Sequence, residues 1–470
     1  MNERNLKGLG RYPLSRRTFM RGVLASTAAP LLSALLAACG GGQATPTSAP
    51  SAATQPPATK APSAATPTGA AAAGTTPTAA PTTAAATSTT SGKPITLAIL
   101  HFSVIEGTTW SGAHDRAAKR LTQKYQNLKY IYREQVGPDQ AVPFAEEMIA
   151  KENADIIVGN AEFIGLPLLD ITSKYPNKIF VAIVASDLTH QPNFIRIFPR
   201  QYQTLYLEGL VAAALTKTGN IGIVSAFPNI QVLHRQAGFI LGVQEANRTL
   251  NKNAKIYIKY VGDWYLPAEE RAVAETLVSQ YNCDVLTQQT DSGSTLDVCK
   301  AKGVWFVGKD MDIVGFYKWA DTNTVAVSFD TRWEVLYDRI IQAMMKSQKP
   351  DEVIFLGLES TMKLADGTEE ATVDLMNDMK VGVDAISPKA AQILPKEIVD
   401  LVRQRREQMQ KGQWDPFTAN ALVSNGTGLK LQDTPIPAKG TTVKPAGQAP
   451  TTEWILTKFN FDLDGVTILP

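Results

Sequence analysis

A chain of 470 residues is too long for one ordinary hydrophobic core, and its length points to about three units of 100 to 200 residues. Its 46 Lys and Arg against 44 Asp and Glu leave a formal charge of +2, and no basic stripe is interleaved with aromatics, which argues against a dedicated nucleic-acid binder. Three cysteines do not make a disulfide framework, and four histidines with no Cys/His cluster give no support for a metal centre or other cofactor.

In chain order, Lys7, Arg11, Arg16, Arg17 and Arg21 precede an apolar, small-residue run from Val23 to Ala38. A basic region before such a run reads as an export signal over 1–38, because the run falls short of the roughly 20 apolar residues that a membrane span needs. SRRTFM at 15–20 resembles the twin-arginine export signal. LAAC at 36–39 resembles the lipobox of bacterial lipoproteins, which implies cleavage before Cys39 and lipid on its sulfur. Residues 39–93 are nearly all Ala, Thr, Pro, Ser and Gly. Such a segment cannot bury enough apolar area to offset its ordering entropy, so it is expected to be a disordered tether.

From Pro94 short apolar strands alternate with amphipathic helices. Ile95–Leu100, Leu128–Arg133, 155–159, 179–185 and 193–198 are strand candidates, with helical spacing in 111–125 and 142–151. A helix over 206–217 is stopped by Thr218, Gly219 and Asn220. The pattern then starts over, with strands at 221–226, 255–261, 284–288, 304–308 and 324–329. Alternation of this kind implies βαβ crossovers and parallel sheets. Two such halves predict an α/β protein of two lobes with a cleft between them, lobe 1 mainly 94–218 and lobe 2 mainly 219–329 with parts of 330–470. A long helix follows over 331–347, and Val353 to Leu358 is expected to return the chain to the second lobe. A charged amphipathic helix over 395–412 and a turn expected at Asp462, Asp464 and Gly465 close the chain.

Ligands of open α/β sheets bind beyond the carboxyl ends of the strands. Asp291, after the strand at 285–288, and the pair Asp310 and Asp312, after 304–308, fall at such ends. Cys283 and Cys299 are read as buried thiols, with a bridge left open to them by export. There is no Gly-rich phosphate fingerprint after the first strand and no nucleophile elbow.

Several segments then resemble one family. EGTTWSGAHDRAAKR at 106–120 keeps Trp110, His114, Asp115 and Lys119 of a GWNYxHDxGRK pattern. YLEGLVAAALTKTGNIGIVSAFP from Tyr206, GDWYLP at 262–267, TQQTDS at 287–292 and GKDMD at 308–312 follow in the same order as their counterparts. From about Thr96 onward the chain is similar to the basic membrane protein (BMP, PnrA-like) solute-binding lipoproteins. The resemblance implies an α/β fold of periplasmic-binding-protein type I, two Rossmann-like lobes with a hinge and an interlobe ligand cleft, joined by three crossing segments. It also implies capture of a purine base or nucleoside for an ABC permease, with no catalysis. Carried over by position, Trp110, Phe163, Phe227, Trp264, Tyr265, Asp291, Asp310 and Asp312 would line the cleft.

A purine has two flat faces for aromatic side chains, at about 1 to 3 kcal/mol per stacked base. Trp110, in a loop after the first strand, and Trp264 with Tyr265 are the candidates for those faces, whereas Phe163 and Phe227 also suit a core. Asp291 could accept N–H bonds from the base edge or cap the helix that follows. Asp310 and Asp312 could take ribose hydroxyls, or one could pair with Lys309. Asp310 stands where the base-binding branch has His, which leaves base and nucleoside open. The sequence fits two other readings: a ligand-sensing domain of a membrane signalling system, and the same scaffold on another small solute. The protein is expected to be a monomer held to the outer face of the membrane by the lipid on Cys39.

Overall fold

The computed structural model describes residues 93–106, 109–183, 190–308, 310–364 and 367–470. The export signal, Cys39 and the tether up to Gly92 lie outside the described residues, as does Lys309.

The first sheet begins with β1 (Ile95–Leu100), β2 (Leu128–Arg133), β3 (Ile156–Gly159), β4 (Ile179–Ile183) and β5 (Phe194–Pro199). The second is built from β6 (Asn220–Ser225), β7 (Lys255–Tyr260), β8 (Val285–Gln289), β9 (Trp305–Val307) and β10 (Val325–Val327). β11 (Phe329–Thr331) and β12 (Val353–Leu356) follow. In space the first sheet runs β12-β5-β4-β3-β1-β2 and the second β10-β9-β8-β6-β7, with Val466–Ile468 outermost. Every neighbouring pair is parallel. All of β1 is buried, as the continuous apolar run of a strand covered on both faces requires. In both sheets the order of strands reverses beside the first one, between β1 and β3 and between β6 and β8. In open α/β sheets a ligand crevice is expected at the carboxyl ends of the strands beside such a reversal.

The helix Gln201–Leu215 is buried along its whole length, which explains why it is apolar all round rather than striped. It packs on the helix Ile230–Leu250, which starts at Asn229, whose side chain accepts the Val232 N–H at 2.8 Å. The two backbones nearly touch. A Cβ on Gly242 would lie 2.0 Å from the Tyr206 carbonyl oxygen, and one on Gly238 would lie 2.1 Å from that of Tyr202.

Three segments cross between the lobes. The chain leaves β5 for the helix Gln201–Leu215, which packs on β9 and β10. It returns from β11 into the helix Trp333–Met345, which packs on Thr109–Lys124 of the first lobe. After β12 it recrosses through the hairpin Thr361–Lys363/Glu369–Ala371 to Val373–Asn377, antiparallel to β11. β12 corrects the sequence reading. It joins the first sheet beside β5, with Val353 opposite Arg196, because the helix before it already lies in the first lobe and short connections keep consecutive elements together.

The remainder packs on the second lobe. The helix Lys396–Gln410 lies against Gln201–Leu215, and a turn at Gly465 (φ +94°) feeds Val466–Ile468 onto the edge of β7. Cys283 and Cys299 are buried and free, and burial, with Asp284 adding to it, pushes the Cys283 thiol up to about 12.

Candidate functional site

In the second lobe four adjacent strand ends deliver four of the expected residues. Phe227 follows β6 and Trp264 follows β7, and their rings meet edge to face at 5.0 Å. Asp291 follows β8, and its N–H donates to the Trp264 carbonyl at 2.8 Å. Asp310 follows β9, and Arg235 Nη2 reaches its Oδ2 at 3.4 Å. The loop carrying Asp291 is held from below: Thr290 and Ser292 hydroxyls both donate to Glu270 Oε2 at 2.7 Å. Asp291 does not cap the following helix, whose N-cap is Gly293; it is Ser292 whose hydroxyl takes the Ser294 N–H. Tyr265, next in the chain to Trp264, is half exposed.

In the first lobe Trp110 sits in the opening turn of the helix Thr109–Lys124, not in a loop as the sequence suggested. Its indole N–H donates to the Asn160 carbonyl just beyond β3 at 2.6 Å, and its ring meets Trp333 edge to face at 5.2 Å. Asn160 Oδ1 takes the Phe102 N–H at 3.0 Å. Phe163 lies against Phe102 at 5.7 Å and is 40% exposed, so it does not belong to the core.

Contacts link the lobes over these residues. Thr109 Oγ1 donates to Asp291 Oδ1 at 3.3 Å, and Gln231 Nε2 donates to Glu162 Oε2 at 3.4 Å. The Arg116 guanidinium lies 4.1 Å over the Phe316 ring and bonds Asp330 at 2.6 Å. Around the crossings Arg116, Arg120 and Arg332 interleave with Asp330, Glu334 and Glu370.

Asp312 has a different role from Asp310. Its carboxylate accepts four backbone N–H groups, from Val314, Gly315, Asp378 and Met379, at 2.7 to 3.2 Å. It ties the loop after Asp310 to the turn at 378–379.

Glu208 and Arg235 were missed in the sequence, although both are charges set in apolar helices and so demand buried partners. Burial, reinforced by the Asp310 charge, holds the Glu208 carboxyl well above the ordinary carboxylate range against the pull of Arg235. Burial likewise lowers the Arg235 guanidinium, opposed by Asp310 and Asp291. Among the described residues no group of His, Cys, Asp and Glu could hold a metal ion, and no helix is long and apolar enough to cross a membrane.

Comparison with known proteins bears on both fold and site. Residues 95–387 match the family described as Bmp, ABC transporter substrate-binding protein PnrA-like. A purine-binding protein of Brucella abortus is 22% identical over 320 residues, covering 68% of this chain and 81% of the relative. A Haloferax volcanii protein provisionally named as an ABC transporter glucose-binding protein is 25% identical over 277 residues, covering 59% and 68%. Solute-binding proteins of ABC systems from Conexibacter woesei (19% identity, TM-score 0.52) and Aeropyrum pernix (16%, 0.55) each cover 68% of this chain, and 98% and 92% of their own lengths. They share its two-lobed periplasmic-binding-protein type I fold. The chain belongs to the Bmp family of PnrA-like ABC transporter substrate-binding proteins.

Proposed function

We propose that this substrate-binding protein captures a purine base or nucleoside between its lobes and delivers it to the permease of an ABC importer, without chemical change to the solute. The observation that carries the reading is the meeting of an aromatic pair, Phe227 and Trp264, with two buried carboxylates, Asp291 and Asp310, at four neighbouring strand ends. Trp110 is the neighbour in the first lobe of Thr109, whose hydroxyl donates to Asp291, and in this reading its ring supplies a further stacking face. Flat apolar faces and N–H donors are what such a set recognises. The name of the Brucella relative supports the same ligand class. In this reading Cys39 carries the lipid that holds the monomeric protein to the outer face of the membrane.

A sugar is the second reading. Stacking on aromatic rings and hydroxyl donation to carboxylates would serve a hexose as well, and the Haloferax relative is named for glucose. A thermal-shift screen of residues 93–470 against adenine, guanine, their nucleosides, glucose and amino acids separates the two. A ligand at 100 times its dissociation constant adds about 2.7 kcal/mol of stability. Stabilisation by a purine is the expected result, and stabilisation by glucose alone replaces purine with hexose.

A further inference from the structure

The first lobe holds a buried hydrogen-bonded knot to which the ligand reading gives no role. Asn160 follows β3 and His101 follows β1, the two strands beside which the order of the first sheet reverses. Ser111 lies one residue beyond Trp110 in the helix Thr109–Lys124. Asn160, His101 and Ser111 are each 0% exposed. The Phe102 N–H can only donate, so the amide atom it reaches at 3.0 Å is the oxygen, Asn160 Oδ1. The amide nitrogen is then the one turned to His101 Nδ1 at 3.1 Å and to Ser111 Oγ at 3.2 Å. His101 Nδ1 must therefore accept, and the ring proton sits on Nε2, which donates to the Tyr130 hydroxyl at 2.9 Å. A second proton on the ring would set donor against donor, and burial, with the Lys119 charge adding to it, lowers the imidazole to about 3. Behind this side chain the Asn160 carbonyl takes the Trp110 indole N–H at 2.6 Å.

We infer that Asn160 is a positioning residue: its side chain pins the end of β3 to the end of β1 and to the first turn of the helix Thr109–Lys124, so that its carbonyl is a fixed post that sets the plane of the Trp110 ring. The inference rests on Trp110 supplying a ring face to the ligand, as proposed above. An indole turns about two side-chain bonds. One hydrogen bond at its edge, with Trp333 packed edge to face at 5.2 Å, selects one orientation. A ring already held in that plane loses less freedom when a flat ligand settles on it. The position asks for an acceptor toward a backbone N–H and for two donors in other directions. A side-chain amide offers both, whereas Asp has no donor and Leu has neither.

The test is a double-mutant cycle of Asn160→Ala with Trp110→Phe, which keeps a ring but has no N–H to donate. Adenine is the calorimetric probe, or glucose should glucose alone bind. Asn160→Ala should weaken binding about fivefold or more in the native background and less than about twofold in the Trp110→Phe background. Equal losses in the two backgrounds would make Asn160 a stability residue and overturn the inference. A second measurement needs no ligand. With the tryptophan nitrogens isotope-labelled, the Trp110 indole N–H resonance is identified by its loss in Trp110→Phe. Its exchange with solvent should be about tenfold faster or more in Asn160→Ala. Ser111→Ala, which removes one partner of the Asn160 amide and leaves the rest of the knot, should raise the rate about threefold. It carries both measurements should Asn160→Ala not fold. Native exchange rates in folded variants overturn the inference. Native-like affinity in Trp110→Ala, with faster exchange in the Asn160 and Ser111 variants, ends the stacking role proposed above and leaves Asn160 as the residue that sets the ring.

Discussion

The Trp110 indole N–H is already committed to the Asn160 carbonyl, so what it can offer a ligand is a ring face rather than a hydrogen bond. Trp110→Ala should weaken binding of the ligand at least tenfold, in line with about 1 to 3 kcal/mol for one stacked ring, as measured by calorimetry. Unchanged affinity in a folded variant would remove Trp110 from the site. Asp312 makes the opposite prediction. Replacing it with Ala strands four backbone N–H groups, which should cost about 3 kcal/mol or more in urea unfolding while leaving ligand affinity within about threefold of native at temperatures where the variant is folded. The two aspartates of GKDMD look alike in sequence. They differ because Asp312 meets backbone donors 66 and 67 residues further along, a contact that no local pattern announces. Arg235 was legible in principle, as a charge among VLH and AGFILG, but its partner lies 75 residues away.

The strands and helices themselves were largely readable, since apolar runs such as ITLAIL and IFVAI are what sheets covered on both faces select. The misplacement of β12 shows the limit: VIFL suits any buried strand, and the helix before it, not its own composition, decides which lobe receives it. The close approach of Gln201–Leu215 and Ile230–Leu250 is written in glycines, yet a helical glycine reads first as a weakness. Gly242→Ala must push these backbones apart, because the added carbon would sit 2.0 Å from the Tyr206 carbonyl oxygen. A loss of about 1 to 3 kcal/mol or more is expected from overpacking. Since Glu208 and Arg235 ride on the same two helices, ligand affinity should fall with it, as paired unfolding and binding measurements would register. A variant as stable as native would mean that the helices separate at no cost.

For the whole molecule, hinge closure of two lobes about crossing segments makes the Arg116 contacts the place to test for a latch. Arg116 reaches from a first-lobe helix to Phe316 beyond β9 of the second. Arg116→Ala should shift the population toward open forms, so that ligand leaves several-fold faster and the radius of gyration without ligand increases. Stopped-flow release and small-angle scattering report the two quantities, and native values in both would take Arg116 out of the latch. The two-lobed plan was visible from the repeated alternation of strands and helices, but the way the lobes share the chain was not. β12 stands in the first sheet although it follows the whole second sheet up to β10 in sequence, and Val466–Ile468 edges the second sheet although it comes after β12. Neither lobe is therefore a contiguous piece of the gene. Recombination at a single junction cannot trade one lobe for a relative's, whereas the loops at the strand ends can be replaced one at a time. A lineage built this way would acquire new ligands by rewriting those loops rather than by shuffling halves.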